Sequence, residues 1–214
     1  MTFSRRDFLQ TASTAALAFG AVSLCGPAMA ADETVDLDKL LEPGPLGDKV
    51  LGAEDAPVTI VEYASLTCSH CAAFHAKTYP ELKSQYIDTG KVRFIMREYP
   101  LDAVASAGFM LARCAPEEKY FDIVDVMFAE QRTWAFTENP YNSLLNFSKQ
   151  LGFTQESFES CLTDQSLLDA VNGVRERGSA EFGVSATPTF FINGEKHSGA
   201  LSIEELGKII EDKL

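Results

Sequence analysis

The 214-residue sequence has few basic residues, few histidines and few cysteines. It contains 18 lysines and arginines against 31 aspartates and glutamates, which gives a formal net charge of −13. An acidic surface repels phosphate backbones and anionic headgroups, so the composition argues against nucleic acid and anionic lipid as partners. The chain also lacks internal repeats and low-complexity tracts. The composition is that of a soluble protein with enough residues for one domain with a full core.

Long apolar runs are missing as well. The run at 12–24 is about 13 residues long, whereas a helix that spans a bilayer needs about 20. It lies between an arginine pair at 5–6 and a small-x-small cleavage sequence at 28–30. This arrangement predicts a cleaved export signal at 1–30. A retained membrane anchor is the alternative.

The export signal resembles the twin-arginine type. "SRRDFL" matches the pattern Ser/Thr-Arg-Arg-x-Phe-Leu-Lys up to Gln10, which replaces the usual lysine. The apolar run is rich in Ala, Ser, Thr and Gly, as in other twin-arginine signals. The general export route is the alternative. A lipid anchor on Cys25 is disfavoured, because Leu24 stands where such signals carry a small residue.

Four cysteines remain after the signal is removed: Cys68, Cys71, Cys114 and Cys161. An oxidising compartment favours disulfides, and four cysteines allow three pairings. The simplest pairing keeps Cys68 with Cys71 and joins Cys114 to Cys161, while two buried thiols at 114 and 161 that never meet are the alternative. The pair in "TCSHC" is half of a metal site, a structural staple or a redox couple.

The first half of the chain predicts a strand, a helix and a second strand. Residues 31–52 are polar and contain prolines and glycines, so we expect an extended N-terminal arm. Strands are predicted at 56–65 and 91–100, with a helix at 71–88 between them that Pro80 kinks or breaks. Two strands joined in this way form a βαβ unit with parallel strands.

Helical patterns replace strand signals over 101–182, where "YFDIVDVMF" is predicted as core and Ser166 as a helix start. Strands return at 187–194, which ends in an Asn-Gly turn, and at 195–200, its predicted hairpin partner. An amphipathic helix at 202–214 closes the chain. The fold class is therefore α/β, with a small mixed sheet flanked by helices and an inserted all-helical segment.

A Cys-x-x-Cys directly after the first strand of a βαβ unit is typical of the thioredoxin fold. The chain resembles the DsbA family of periplasmic thiol–disulfide oxidoreductases. "APVTIVEYASLTCSHCAAFH", "VRFIMREYPL" and "GVSATPTFFING" match three blocks of that family in the right order, over about residues 50–214. The resemblance implies a thioredoxin-like domain built from 53–100 and 183–214, with 101–182 as the helical insertion.

Disulfide exchange requires one thiolate that attacks and another that leaves. Cys68 is predicted at the N-terminus of a helix, where free N–H groups and the helix dipole stabilise a negative charge, so we expect it to be the nucleophile and Cys71 the resolving cysteine. The family's Cys-Pro-His-Cys motif implies that His70 favours the Cys68 thiolate; an exposed polar residue is the alternative. Ser69 stands where that motif has proline, which leaves the oxidising strength open.

Three candidates lie outside the motif. The family carries an acidic residue beneath the cysteines at the position of Glu62, and a buried carboxylate there would relay the proton of Cys71; a strand-end glutamate that reaches water is the alternative. The family also implies that Thr187-Pro188 is a cis-proline loop against the cysteines, although only about 5–6% of such bonds are cis. Thr187 is more typical of isomerases, because the strongest oxidases of the family have valine there.

A metal site is the weaker interpretation of the motif. Cys71 and His75 could share one helix face, but a tetrahedral zinc site needs four ligands. His70 is badly placed for such a site and His197 is distant in sequence. We expect no bound metal and no cofactor besides the Cys68–Cys71 disulfide. A copper(I)-handling thiol protein is the alternative from another functional class.

The resemblance implies a periplasmic enzyme that passes its disulfide to reduced or misoxidised exported proteins. In this family a quinone-linked membrane oxidoreductase restores the disulfide, which makes it an expected partner. An isomerase or reductase that is kept reduced is the alternative, and Ser69 and Thr187 allow it. The N-terminal arm has no heptads for a coiled-coil stalk, so we expect a monomer.

Overall fold

The computed structural model describes residues 34–214, so the predicted export signal and Cys25 lie outside the described residues. Five strands form one sheet: β1 (Lys49–Leu51), β2 (Val58–Ala64), β3 (Val92–Glu98), β4 (Thr189–Ile192) and β5 (Glu195–Ser198). Their order across the sheet is β1-β3-β2-β4-β5, with β2 and β3 parallel and the other neighbouring pairs antiparallel. This mixed sheet with helices around it confirms the predicted fold class.

Ten α-helices accompany the sheet within the described range: α1 (Leu37–Leu41), α2 (Ser69–Lys77), α3 (Tyr79–Leu82), α4 (Ala103–Cys114), α5 (Tyr120–Ala129), α6 (Gln131–Trp134), α7 (Pro140–Gln150), α8 (Gln155–Leu162), α9 (Gln165–Phe182) and α10 (Ile203–Glu211). Helices α4 to α9 follow one another between β3 and β4. Their separation from the rest as an inserted subdomain stays a prediction. No helix between residues 34 and 214 combines the length and the apolar character that a membrane crossing requires.

The predicted arm at 31–52 is more ordered than its composition indicated. It contains α1 and β1, and β1 pairs with β3 at the edge of the sheet. Two arginines with buried side chains hold the segment that links α1 to β1. Arg97 contacts the Asp48 carboxylate at 3.0 Å, and Arg113 donates to the carbonyls of Leu46 and Gly47. Because these partners come from β3 and α4, the local pattern alone did not reveal the strand.

Helix α9 begins earlier than predicted. Its N-cap is Asp164, whose carboxylate accepts the backbone N–H of Leu167 at 3.0 Å. Ser166 was predicted as the helix start, but it lies inside the first turn. Asp and Ser are both strong N-cap residues. Asp164 precedes Ser166, so the helix that it caps includes Ser166. The helix ends at Gly183, which adopts the left-handed conformation at φ 62°.

Strand β2 is buried on both faces, which explains its nearly continuous apolar run. Successive side chains of a strand point to opposite faces. Ile60 and Ala64 belong to the larger core beneath α2 and α5, while Val61 and Tyr63 belong to a smaller core on the other face. The same alternation places Glu62 on the face of Ile60 and Ala64. The Glu62 carboxylate therefore lies on the face of the sheet that packs against the cysteine helix.

Candidate active site

Cys68 occupies the N-cap of α2, at the end of the loop that leaves β2. Its sulfur accepts the backbone N–H of Cys71 at 3.4 Å, in the place where a cap usually has an oxygen. Both cysteines are free thiols. Cys68 keeps 7% of its surface exposed and Cys71 none, so a partner sulfur can reach only Cys68.

The surroundings of the two thiols lower the pKa of Cys68 and raise the pKa of Cys71. A hydrogen bond from the Cys71 side chain, supported by the backbone N–H groups of Cys71 and His70, lowers the pKa of Cys68 to about 5. Burial raises the pKa of Cys71 far above its usual range, and the contact with Cys68 and the charge of Glu62 raise it further. At neutral pH the reduced pair therefore holds one thiolate on Cys68 and one thiol on Cys71.

The Thr187–Pro188 peptide bond is cis and lies beside this thiolate. The carbonyl oxygen of Thr187 is 3.2 Å from the Cys68 sulfur, although the two residues are 119 positions apart. The Thr187 hydroxyl is buried and has no hydrogen-bond partner among the described residues. The loop before β4 thus forms one side of the site.

Glu62 is fully buried, so its side chain does not reach water. Its Oε2 is 3.1 Å from His75 Nε2. Its Oε1 is buried without a hydrogen-bond partner in the described part of the chain. After burial and the contact with Cys68, the charge of Glu62 is a further cause of the raised pKa of Cys71.

The two histidines near the motif lie in opposite environments. His70 is exposed, and its backbone N–H rather than its ring contributes to the Cys68 site. His75 is buried and bridges Glu62 to Asp125, with 3.1 Å at each ring nitrogen. From the sequence, His75 was predicted only as a possible metal ligand. Its position four residues after Cys71, on the helix face above a strand glutamate, was the signal for this role.

Gln131 is a site residue that the sequence analysis missed. It is 7% exposed, and its side-chain amide donates to the carbonyls of Leu66 at 2.8 Å and Cys68 at 3.0 Å. The first residue of α6 therefore holds the loop that carries the nucleophile. No motif surrounds Gln131 in the sequence, so only the packing of α6 reveals its function.

Cys114 and Cys161 form a disulfide between α4 and α8. This bond lies within the helices that follow β3 and contributes no group to the Cys68 site. Within residues 34–214, no cluster of three or more His, Cys, Asp or Glu side chains is arranged to hold a metal ion. The site itself contains two thiols, a buried carboxylate and a buried histidine.

Comparisons with known proteins agree with this geometry. A sequence profile for the family described as Thioredoxin matches residues 46–212. The crystal structure of Wolbachia pipientis alpha-DsbA1 has a TM-score of 0.75 and 31% identity, over 83% of this chain and 95% of that chain. Oxidised BdbD from Bacillus subtilis, at 21% identity and a TM-score of 0.67 over 78% of this chain and 92% of that chain, shares the fold.

A protein of Rickettsia bellii, provisionally named a protein-disulfide oxidoreductase, is 35% identical over 149 residues. The match covers 69% of this chain and 57% of that protein, so the chain spans little more than half the length of this relative. The profile match and the alpha-DsbA1 structure both extend over most of the chain described above. The chain belongs to the thioredoxin family and, within it, to the DsbA-like thiol–disulfide oxidoreductases.

Proposed function

We propose that this protein donates its Cys68–Cys71 disulfide to cysteines of exported proteins in the periplasm. The observation that carries the proposal is the asymmetry of the pair, with an accessible Cys68 whose pKa is about 5 beside a fully buried Cys71. A thiolate that is stable at neutral pH is a good leaving group. Release of Cys68 is therefore favourable, which drives the disulfide toward the client.

The reaction proceeds in two exchanges. A client thiolate attacks the Cys68 sulfur; the bond to Cys71 breaks, and Cys71 leaves with the electron pair and takes up a proton. A second client thiolate then attacks the client sulfur of the mixed disulfide, and Cys68 leaves as a thiolate. The client gains a disulfide and the enzyme is left reduced, so a membrane quinone-linked oxidoreductase must reoxidise it.

The other predicted residues support these steps. The backbone at Thr187, before Pro188, pairs with the extended client segment while its carbonyl faces Cys68. Glu62 exchanges a proton with Cys71. His70 is exposed beside Cys68, and its backbone N–H favours the Cys68 thiolate. No bound cofactor takes part, and the enzyme acts as a monomer.

Ser69 and Thr187 carry a second candidate function, that of an isomerase or reductase kept reduced. The discriminating experiment equilibrates the protein in glutathione buffers and follows the peptide that contains Cys68 and Cys71 by alkylation and mass. A reduction potential near −120 mV, as in DsbA, supports a disulfide donor, whereas one near −270 mV, as in thioredoxin, indicates a reductase. A pair that does not exchange at all, like a Cys68→Ser control, would overturn both and favour copper(I) handling.

A further inference from the structure

We propose that His75 and Asp125 form, together with Glu62, a path that carries the proton of Cys71 between the buried site and solvent. This inference rests on the proposed function, because it describes how Cys71 loses and regains its proton during exchange. His75 and Asp125 touch no reacting atom. They are positioning residues that act through Glu62.

The three side chains come from three different elements and form one chain of contacts. Glu62 lies on β2, His75 on α2 and Asp125 on α5, with 3.1 Å between Glu62 Oε2 and His75 Nε2 and 3.1 Å between His75 Nδ1 and Asp125 Oδ1. Their side-chain exposures are 0%, 2% and 43%. The contacts therefore lead from the fully buried Glu62 carboxylate to a carboxylate at the surface.

The packing around His75 fixes the plane of its ring. Phe128 from α5 stacks on it with ring centroids 4.2 Å apart, and Tyr79 from α3 packs against it at 4.7 Å. Besides Glu62 and Asp125, Tyr79 is the titratable group that packs against the ring from a neighbouring element. Burial raises the pKa of Tyr79, so its hydroxyl stays neutral, and it has no hydrogen-bond partner among the described residues.

The charges at both ends keep the ring protonated. Burial by itself would lower the pKa of His75, but the charge of Glu62 and the hydrogen bond to Asp125 raise it to about 9. A protonated imidazole donates from both ring nitrogens, and both have an acceptor here. The buried Glu62 carboxylate is thus paired with a cation, and its Oε1 is free to accept a proton.

The proton transfer is written for the step in which Cys71 resolves a mixed disulfide on Cys68. The sulfur of Cys71 forms a bond to the sulfur of Cys68, and the partner leaves as a thiolate with the electron pair of the broken bond. The thiol proton of Cys71 passes to Glu62 Oε1, and the Nδ1 proton of His75 passes to Asp125 and then to solvent. When Cys71 is the leaving group, each transfer runs in reverse.

Along this path the protein interior gains no net charge. Before the step the buried pair consists of a carboxylate and an imidazolium; after it, the pair is a carboxylic acid and a neutral imidazole. The buried charge sums to zero in both states. A relay that ended at Glu62 would instead leave an unpaired imidazolium in the core, and uncompensated buried charge is costly.

The test follows two successive steps in the reaction of the reduced protein with glutathione disulfide. In the first, Cys68 attacks glutathione disulfide and forms a mixed disulfide. In the second, Cys71 displaces the bound glutathione. Acid quenching and mass measurement separate the reduced, mixed and oxidised species, so each step has its own rate. The variants are His75→Gln, which hydrogen-bonds but cannot carry a proton, and Asp125→Asn.

The matched control is Asp122→Asn. Asp122 lies on the same helix as Asp125, is 70% exposed and pairs with Lys119 instead of His75. We expect His75→Gln to slow the second step about tenfold or more, since general acid–base groups contribute at least about a hundredfold when fully effective. The first step should stay within about twofold of the wild type, because the Cys68 thiolate needs no relay. Asp122→Asn should leave both steps unchanged.

The pH profile separates a relay from a structural ion pair. In the wild type, the second-step rate should bend near pH 9, where His75 loses its proton. Asp125→Asn should move this bend to lower pH, because the Asp125 contact raises the pKa of His75, and His75→Gln should abolish it. If His75→Gln does not fold, the shift of the bend in Asp125→Asn alone tests the relay.

Three results would overturn the inference: a second step that keeps its rate and profile in the variants that fold, an equal slowing of both steps, or the same effect in Asp122→Asn. The proposed function would survive all three. Absence of the first step in the wild-type protein would instead overturn the proposed function and the relay with it. The two failures are therefore distinguishable in one experiment.

Discussion

Cys68 and Cys71 are identical side chains three positions apart, and the structure gives their thiols opposite acidities. Cys68 ends a loop and caps a helix, so backbone N–H groups and the helix dipole act on its sulfur. Cys71 lies one turn further along and is enclosed by the core. The position at which the helix begins therefore determines which of the two cysteines is the thiolate.

The lowered pKa of Cys68 makes the stability of the reduced protein depend on pH. An unfolded thiol titrates near 8.5, and the folded Cys68 near 5. Because the folded pKa is depressed, its stabilisation is present above about pH 8.5 and is lost as the pH falls through about 5. As the pH is lowered from about 8.5 to about 5, the free energy of unfolding should decrease by up to about 1.4 kcal/mol per pH unit.

Urea unfolding of the reduced protein across this pH window measures the effect. Cys68→Ser is the control, because serine caps the helix and does not titrate there. The slope attributed to Cys68 should disappear in the variant. Equal slopes in both proteins would contradict the assignment of the low pKa to this cysteine.

Some of the predicted site residues stand in sequence motifs, and other residues of the site do not. The cysteine pair, Glu62 and the Thr187-Pro188 loop stand in motifs. The structure places the Thr187 carbonyl beside Cys68 and Glu62 beside His75 of the cysteine helix. The roles of His75 and Gln131 depend on α5 and α6, whose placement over α2 is set by packing between distant segments. Periodicity predicts that such helices exist, but it does not say which face meets the site.

At the scale of elements, α9 packs closely against the sheet through a residue without a side chain. A Cβ atom at Gly178 would lie 2.7 Å from the Tyr63 ring. The ring cannot move aside easily, because the Tyr63 hydroxyl accepts a hydrogen bond from Arg97 at 3.0 Å and the residue is 1% exposed. Glycine at 178 is therefore a packing requirement and not a flexible point of the helix.

Two alanine substitutions on this helix should have opposite effects. Gly178→Ala should destabilise the protein by about 1–3 kcal/mol through overpacking. Gly173→Ala, where a Cβ would meet no described atom within 4 Å, should stabilise it by up to about 1 kcal/mol through helix propensity. Thermal or urea unfolding of both variants tests the pair. A loss of stability in Gly173→Ala similar to that in Gly178→Ala would argue against the close contact.

At the scale of the whole molecule, the Cys114–Cys161 disulfide closes a loop of 47 positions. On the loop-entropy model such a link stabilises the fold by roughly 4 kcal/mol. A Cys114→Ala/Cys161→Ala double variant should lose about that amount in urea unfolding, while its first exchange with glutathione disulfide keeps its rate. A slower exchange at Cys68 would show that the second disulfide also shapes the active site.

The order of strands in the sheet differs from their order along the chain. Strand β2 lies between β3, which follows it closely, and β4, which comes near the C-terminus. A ribosome therefore produces the cysteine helix long before it produces the Thr187 carbonyl and the strand that completes the middle of the sheet. Until then β2 exposes an unpaired edge, which invites pairing with other chains. The two cysteines are synthesised early, whereas the Thr187 loop that completes their site is synthesised late. A nascent chain therefore carries both thiols before the loop that contacts Cys68 exists.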